Sequence, residues 1–349
     1  MQPARETDAL DPWAFYHKVL RHAQLSQAIG VAAEWRLADH IYGGVDEIDA
    51  LSTRVGCNSK GVARLLRVLE SAGIVAPCGR NRYELTTRGS LLRSDADGGV
   101  RNTMTWWSRY RWQVWGHLAT SLRTGHGSRS RVLGSKGFDH LDTDDEAARV
   151  FNGAMAELAC RLGALLARAY DFAGVKTIVD VGGGDGTLLS ELLAVKPDLH
   201  GVLLDRPHAL TAARSKLSAR GLADRCKLLP GDFFDSIPSG GDVYILQRIL
   251  HDWDDERCID ICSRCREAMP VHAHLLVIER VLSSDAEAHD DHLDVDVSDL
   301  NMLVMLGARE RSEEDIRTAL EKASLQCSTT IPLMLGFRGF VAAVSLANP

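Results

Sequence analysis

The 349-residue chain contains no run of about 18 or more uncharged apolar residues, the length that a bilayer-crossing helix needs. No membrane-spanning segment and no membrane partner are therefore expected. A basic excess is also missing: 40 Lys and Arg stand against 47 Asp and Glu, a formal net charge of −7. That balance has the wrong sign for a chain whose main work is to coat nucleic acid. The opening MQPARETDALDPW lacks the basic start, apolar stretch and small-residue cleavage site of a secretory signal, so a cytoplasmic protein is expected. Aromatics are scarce at 6%, yet four of the seven tryptophans fall between Trp106 and Trp115. What is plentiful is apolar content, 45%, which with this length allows two domains with proper cores.

Up to about residue 95 the pattern is helices followed by a small wing. A helical stretch runs near Phe15–Ile41 and breaks at Gly43-Gly44. Shorter helices follow near Glu47–Val55 and Ser59–Ala72, with Gly73 placed as a C-terminal cap residue. Ile74-Val-Ala and Tyr83-Glu-Leu-Thr then alternate around Gly79-Arg-Asn81, as in a hairpin. Helix, turn, helix and hairpin make a winged helix-turn-helix, a fold that often reads DNA. Between Asp46 and Arg93, eight Lys/Arg oppose five Asp/Glu, a surplus of only three. The second helix carries Lys60, Arg64 and Arg67, but Val62, Ala63, Leu65, Leu66, Val68 and Leu69 spread apolar character over too wide an arc for a solvent-facing reader. Packing on more than one side suits a dimer interface better, and no nucleic-acid partner is expected.

Residues 101–170 bring Trp106, Trp107, Tyr110, Trp112 and Trp115, either core packing or rigid walls for a flat ligand. Gly125–Gly137 reads as a loop and 144–170 as a helix. From Val175 strands and helices alternate. Strands are expected near Thr177–Val181, Gly201–Leu204, Lys227–Leu229, Val243–Leu246 and His274–Glu279, with helices near Gly186–Val195, Ala209–Arg220 and Asp254–Met269. This alternation calls for a parallel sheet covered on both faces. Ser312 and Asp315 form a capping box for a later helix, and Ser328–Leu335 with Gly339–Leu346 would close the sheet as an antiparallel pair.

The glycine run Asp180-Val-Gly-Gly-Gly-Asp-Gly186 sits between a buried strand and a helix start. A dinucleotide site wants Gly-x-Gly-x-x-Gly, and its third glycine is Thr187 here. The pattern acidic-x-Gly-x-Gly-x-Gly fits at Asp180, Gly182, Gly184 and Gly186, a turn that lets a methionine moiety approach the backbone. Asp205 ends the next strand where an acid accepts from ribose hydroxyls. Asp232 and Phe233 follow the third strand, either as an adenine contact or as a capping acid and a core ring. Gln247-Arg-Ile-Leu-His-Asp-Trp253 lies just past the fourth strand, where open α/β sheets place their ligands.

With these residues the chain resembles the small-molecule O-methyltransferases of the plant caffeate type and their bacterial tailoring relatives. The strings DVGGGDGTLL, LLDRP, GDFF, ILHDWDDE, LLVIERVL, GARERSEED and FNGAM carry the likeness, which covers nearly the whole chain. The resemblance implies a Rossmann-like class I methyltransferase sheet at 171–349, a winged-helix dimerisation domain at 1–100, and a helical linker at 101–170 that contributes to the substrate pocket. It implies S-adenosylmethionine as cosubstrate, S-adenosylhomocysteine as product, a homodimer, and no metal. His251 would be the general base, flanked by Glu279 and Glu310, with Asp252 beside it or orienting the next helix. The cosubstrate would be lined by Asp180, Gly182, Gly183, Gly184, Asp205, Arg206, Asp232, Phe233, Gln247 and Trp253. Gln247 stands where the family often has Lys, so it cannot pair with the cosubstrate's carboxylate as an ion. Substrate walls would include Trp107, Phe151, Asn152, Met155, Asn301, Met302 and Met305, for some of which core packing is the alternative.

The expected activity is methyl transfer to a phenolic hydroxyl of a small aromatic natural product. A phenol near pKa 10 and an imidazole near 6.5 leave a proton-transfer cost of roughly 5 kcal/mol, which a neighbouring carboxylate reduces. N-methylation, a non-methylating relative on the same fold, and a winged-helix regulator are the alternatives. Cys258-x-x-x-Cys262-x-x-Cys265 has the spacing of an iron–sulfur ligand set. On a helix these positions share an apolar face with Ile261, so core packing is expected there.

Overall fold

The computed structural model describes residues 11–134, 141, 144–282 and 289–345. The chain divides into two compact units, Met1–Trp112 and Gln113–Pro349.

In the first unit α1 (Pro12–Glu34) opens on Pro at its first turn, behind Asp11, whose carboxylate accepts from the Trp13 N–H. The helix expected to continue to Ile41 ends instead at Trp35, because Arg36 takes a left-handed φ of 54° before α2 (Leu37–Tyr42) begins. No glycine or proline marks that break, so periodicity alone runs through it. α3 (Ile48–Val55) and α4 (Ser59–Ser71) are joined by a turn in which Asn58 caps α4, accepting from the Lys60 and Gly61 N–H groups. Within this unit α4 buries one stripe, Val62, Leu66 and Leu69, and leaves Val68 exposed. The strands β1 (Val75–Gly79) and β2 (Arg82–Leu85) form the wing. α5 (Thr87–Ser90), α6 (Arg101–Trp106) and a π-helical turn, Trp107–Arg111, complete the unit. Trp106 and Tyr110 are buried and stack at 4.7 Å, whereas Trp112 is exposed, so the tryptophan cluster is core at one end only.

α7 (Trp112–Trp115) leads into α8 (Leu118–Thr124) and α9 (Arg129–Leu133). α9 corrects the expected loop over Gly125–Gly137, of which residues 135–137 lie outside the described residues. The glycines at 125 and 134 are left-handed caps of short helices, not signs of irregular chain. α10 (Asp145–Ala169) is long and apolar enough to cross a bilayer by length and composition. Its Leu162 and Leu166 instead lie fully buried in a core shared with Leu188 and Leu192.

The main sheet has the order β5-β4-β3-β6-β7-β10-β9, built from β3 (Thr177–Val181), β4 (His200–Asp205), β5 (Cys226–Pro230), β6 (Val243–Gln247), β7 (His274–Leu282), β9 (Leu325–Pro332) and β10 (Phe337–Val344). The short β8 (Arg311–Ser312) pairs with β7. The first five are parallel; β10 runs antiparallel between β7 and β9. Runs such as Tyr244-Ile-Leu and Leu275-Leu-Val-Ile are buried throughout, as a sheet covered on both faces requires. α11 (Thr187–Val195) and α12 (Pro207–Ala219) join α10 on one face; α13 (Asp255–Ala268) and α15 (Glu313–Lys322) cover the other. Cys258, Cys262 and Cys265 are fully buried on α13, with burial holding the Cys258 thiol up at about 12, and they are core residues. The Ser312–Asp315 capping box starts α15. α14 (His289–Leu306) was not expected from the sequence, because its Asp-rich first half hides the apolar face of its second.

From β3 the chain winds outward through β4 and β5, then returns to the other side through β6 and β7. The crevice at the carboxyl ends of β3 and β6 is the place for a ligand in such a sheet.

Candidate active site

At the carboxyl end of β3, Gly182, Gly184 and Gly186 take left-handed φ values of 72°, 61° and 71°, which L side chains rarely adopt. A Cβ on Gly182 would come within 2.6 Å of Ile249 Cδ1 and 3.4 Å of Phe233, and one on Gly183 within 2.3 Å of Asp180. The loop is therefore held bare of side chains. Beneath it Asp180 is buried with both carboxylate oxygens lacking a hydrogen-bond partner among the described residues. Burial first, then the charges of Asp205 and Asp185, push its pKa up to about 7. Asp205, at the end of β4, accepts from the N–H groups of Gly184 (2.7 Å) and Arg206 (2.6 Å), which ties the second strand end to the glycine loop. Asp232 accepts from Phe234 N–H at 2.8 Å, so it does cap its turn. Phe233, Phe234 and Trp253 form an aromatic corner with centroids 4.8 to 6.2 Å apart. A bare glycine loop, a carboxylate at the next strand end, an aromatic corner and an unpaired buried acid fit a flat adenosyl group carrying cationic sulfonium and ammonium centres.

Beyond β6 the backbone turns through Arg248, φ 56°, into a 3-10 turn, Leu250–Asp252. Arg311, itself buried, pins that turn by donating to Leu250 O (2.6 Å), Trp253 O (2.7 Å) and Asp255. The turn places His251, 6% exposed, between three acids. Its Nδ1 lies 3.4 Å from Glu310 Oε2 and 3.5 Å from Glu279 Oε2; its Nε2 lies 3.6 Å from Asp252 Oδ1. These are ion-pair approaches, and among the described residues Nδ1 and both Oε2 atoms make no hydrogen bond. The other carboxylate oxygens are fixed: Glu279 Oε1 accepts from Leu250 N–H and Glu310 Oε1 from Ser298 Oγ, each at 2.7 Å. Glu310 N–H also donates to Asp299.

Burial works against a charged imidazole, but the attraction of Glu279, Asp252 and Glu310 outweighs it, and His251 is raised above its ordinary value. Burial lifts Glu279 to about 7 despite His251. For Glu310 burial is overcome by the His251 contact, Ser298 and Arg248, which leave it below the usual carboxylate range. The surroundings of Glu310 thus favour its ionised form, whereas burial favours the protonated form of Glu279. The His251, Glu279 and Glu310 ligand atoms also lie within 4.8 Å of one another, a donor set of a type that divalent cations accept.

Two family matches cover most of the chain. An O-methyltransferase domain spans residues 115–326 and an O-methyltransferase dimerisation domain spans residues 18–95. The chain belongs to the S-adenosylmethionine-dependent O-methyltransferase family. It is 38% identical over 316 residues to the 3-amino-4-hydroxybenzoate 4-O-methyltransferase of Streptomyces cremeus, covering 88% of this chain and 84% of that one. The crystal structure of LaPhzM superposes with a TM-score of 0.89 at 32% identity, covering 96% and 100% of the two chains. NcsB1, an O-methyltransferase from neocarzinostatin biosynthesis, superposes with a TM-score of 0.74 at 31% identity over 91% and 95%, and was crystallised with S-adenosylmethionine and 2-hydroxy-5-methyl naphthoic acid.

In this methyltransferase the expected acceptor walls fall on three elements. Phe151, Asn152 and Met155 lie half-buried on α10. Met302 and Met305 are buried on α14, and Asn301 accepts from Trp115 Nε1 at 3.1 Å. Trp107 belongs to the first unit, where its Nε1 donates to Ser26. Gln247 ends β6, half-buried and in register with Ile278 of β7. Several neighbours of the site were missed in the sequence. Arg129, 2% exposed, sits with its guanidinium 5.6 Å from the Phe151 ring and faces Asp252; burial brings it down to about 10. Arg248, Ser298, Asp299 and Arg311 complete the set. No spacing rule singles them out, since an isolated Arg or Ser in a helix or turn reads as surface.

Proposed function

We propose that this methyltransferase acts on a phenolic hydroxyl of a small aromatic natural product, with His251 as its general base. The observation that carries the reading is a buried imidazole whose Nδ1 lies 3.4 Å from the Glu310 carboxylate, at the strand end beside the glycine loop. S-adenosylmethionine, when bound, supplies an electrophilic methyl group on a sulfonium. The glycine loop, Asp205 and the Phe233–Trp253 corner hold that cosubstrate, and α10 and α14 hold the acceptor ring. His251 Nε2 takes the hydroxyl proton while Nδ1–H, paired with Glu310, keeps the tautomer and stabilises the imidazolium. A raised imidazole pKa narrows the gap to a phenol near 10, so less than roughly 5 kcal/mol is needed for proton transfer.

The relatives support an aromatic acceptor: one carries an aminohydroxybenzoate in its name and another was crystallised with a naphthoic acid. Incubation with a panel of hydroxylated arenes and S-adenosylmethionine should give one product heavier by a single methyl group, with turnover unchanged by a chelator. If no phenol gains a methyl group, or chelation stops the reaction, the reading fails. N-methylation is the second reading, because a phenazine-1-carboxylate N-methyltransferase of Pseudomonas aeruginosa is 30% identical over 91% of this chain. A ring nitrogen without a proton needs no base, and the buried His251 cluster favours the hydroxyl.

A further inference from the structure

Two guanidinium groups lie beside His251, and neither takes or gives a proton in the transfer just described, although Arg248 helps to hold the Glu310 carboxylate down. Arg248 follows β6 and Arg280 lies near the end of β7, so neighbouring parallel strands deliver both to the ligand edge of the sheet. Arg248 holds a left-handed φ of 56°, an uncommon state for a residue with a side chain, kept by its N–H bond to Ile278 O at 2.9 Å. Its guanidinium donates to Met155 Sδ at 3.0 Å, a weak acceptor on an expected acceptor wall, and to no carboxylate among the described residues. Arg280 Nε is buried and makes no hydrogen bond there, while its guanidinium carbon lies 5.0 Å from the Phe337 ring. Burial, and next the nearby Arg248, lower the Arg280 pKa.

Among the described residues, the acids that reach Arg280 are Glu310, already turned to His251 and Ser298, and the exposed Asp294 of α14, while Asp252 and Glu310 reach Arg248. Two like charges, one ending on a thioether and the other with an unpaired buried donor, are costly to hold together unless an anion joins them. A planar carboxylate suits such a pair, because guanidinium groups recognise it by paired hydrogen bonds.

We propose that Arg248 and Arg280 form a subsite for an anionic substituent of the acceptor, a carboxylate on its aromatic ring. The inference rests on the methyltransferase reading of the site and narrows its substrate class to hydroxyarenecarboxylates. The methyl donor also carries a carboxylate, so the test must separate the two sources.

The enzyme saturated with S-adenosylhomocysteine is titrated calorimetrically with 1-hydroxy-2-naphthoate and, separately, with the uncharged 1-hydroxy-2-naphthamide. The carboxylate should bind at least about tenfold more tightly, the size expected of a charged hydrogen bond. Arg248→Met and Arg280→Met should each shrink that ratio towards one, while S-adenosylhomocysteine affinity, measured on the same samples, stays within about threefold. Equal affinity of the two probes for the unmodified enzyme overturns the proposal, as does binding of neither. A ratio that survives both substitutions also overturns it, and loss of S-adenosylhomocysteine affinity instead would assign the pair to the donor. No methyl transfer is read in this titration, so a failed reaction assay and a failed subsite remain distinguishable.

Discussion

Burial alone would hold the His251 imidazole neutral, yet three acids surround it and their attraction prevails. As a base it acts in its neutral form, so a raised pKa moves the acid limb of the rate profile above the ordinary imidazole value near 6.5. Glu310→Gln removes the carboxylate whose surroundings favour ionisation, and the limb should move to lower pH with roughly a tenfold loss of kcat, part of the ~10²–10⁴ a general base contributes. Glu279→Gln should move the limb less, because that group, lifted to about 7, already holds its proton part of the time near neutrality. Full pH–rate profiles of the two variants check the ranking, and the reverse order would make Glu279 the partner. Asp180 offers a stability test with a definite sign. Its folded pKa of about 7 exceeds the ordinary 3.8, so between those values the native state keeps a proton that the unfolded chain has lost. Its contribution is fully present below about 4 and is lost as pH rises through about 7. Urea midpoints of the unliganded protein should therefore fall, relative to Asp180→Asn, between about pH 4.5 and 7.5. Parallel curves would show that Asp180 does not carry the shift.

At the scale of elements, the strand–loop–helix unit β3–α11 was legible in advance because its signals agree: a buried apolar strand, glycines where φ is positive, then a helix-period run. Adding a methyl group should break it. Gly183→Ala drives a Cβ into Asp180 and Leu203 and should cost about 1–3 kcal/mol of stability, with loss of S-adenosylhomocysteine affinity. Thermal melts with and without that ligand check both effects, and an unchanged ligand shift would remove the loop from the cosubstrate site. Other elements were less legible for stated reasons. α1 and α2 part at Arg36 with no glycine or proline to mark the joint. α14 opens on acids that mask its helical stripe, although it supplies Ser298, which orients Glu310. Arg311 stood inside a recognisable string, but its role depends on carbonyls from residues about sixty positions earlier, a relation no local pattern carries.

On the scale of the whole molecule, the winged first unit exposes Trp13 and Tyr16 at 67% and Leu20 at 60% on α1, and neighbouring exposed apolar side chains of this size mark an interaction surface. The dimerisation domain matched at 18–95 begins within this helix. Sedimentation should find a dimer that Leu20→Glu weakens, and a monomer for the unmodified chain would contradict the homodimer. The sheet and the glycine loop were foreseeable from local strings, whereas His251, Glu279 and Glu310 were singled out through the likeness to a known family. The arginines around them were not, because only the folded sheet brings strand ends and α10 together. In the proposed reaction His251 removes the acceptor's proton. The most direct measurement compares single-turnover methyl transfer by His251→Ala and the unmodified enzyme at matched S-adenosylmethionine occupancy. A loss of about 10²–10⁴ in rate with S-adenosylhomocysteine affinity retained is the result predicted, and methyl transfer at an undiminished rate would contradict it.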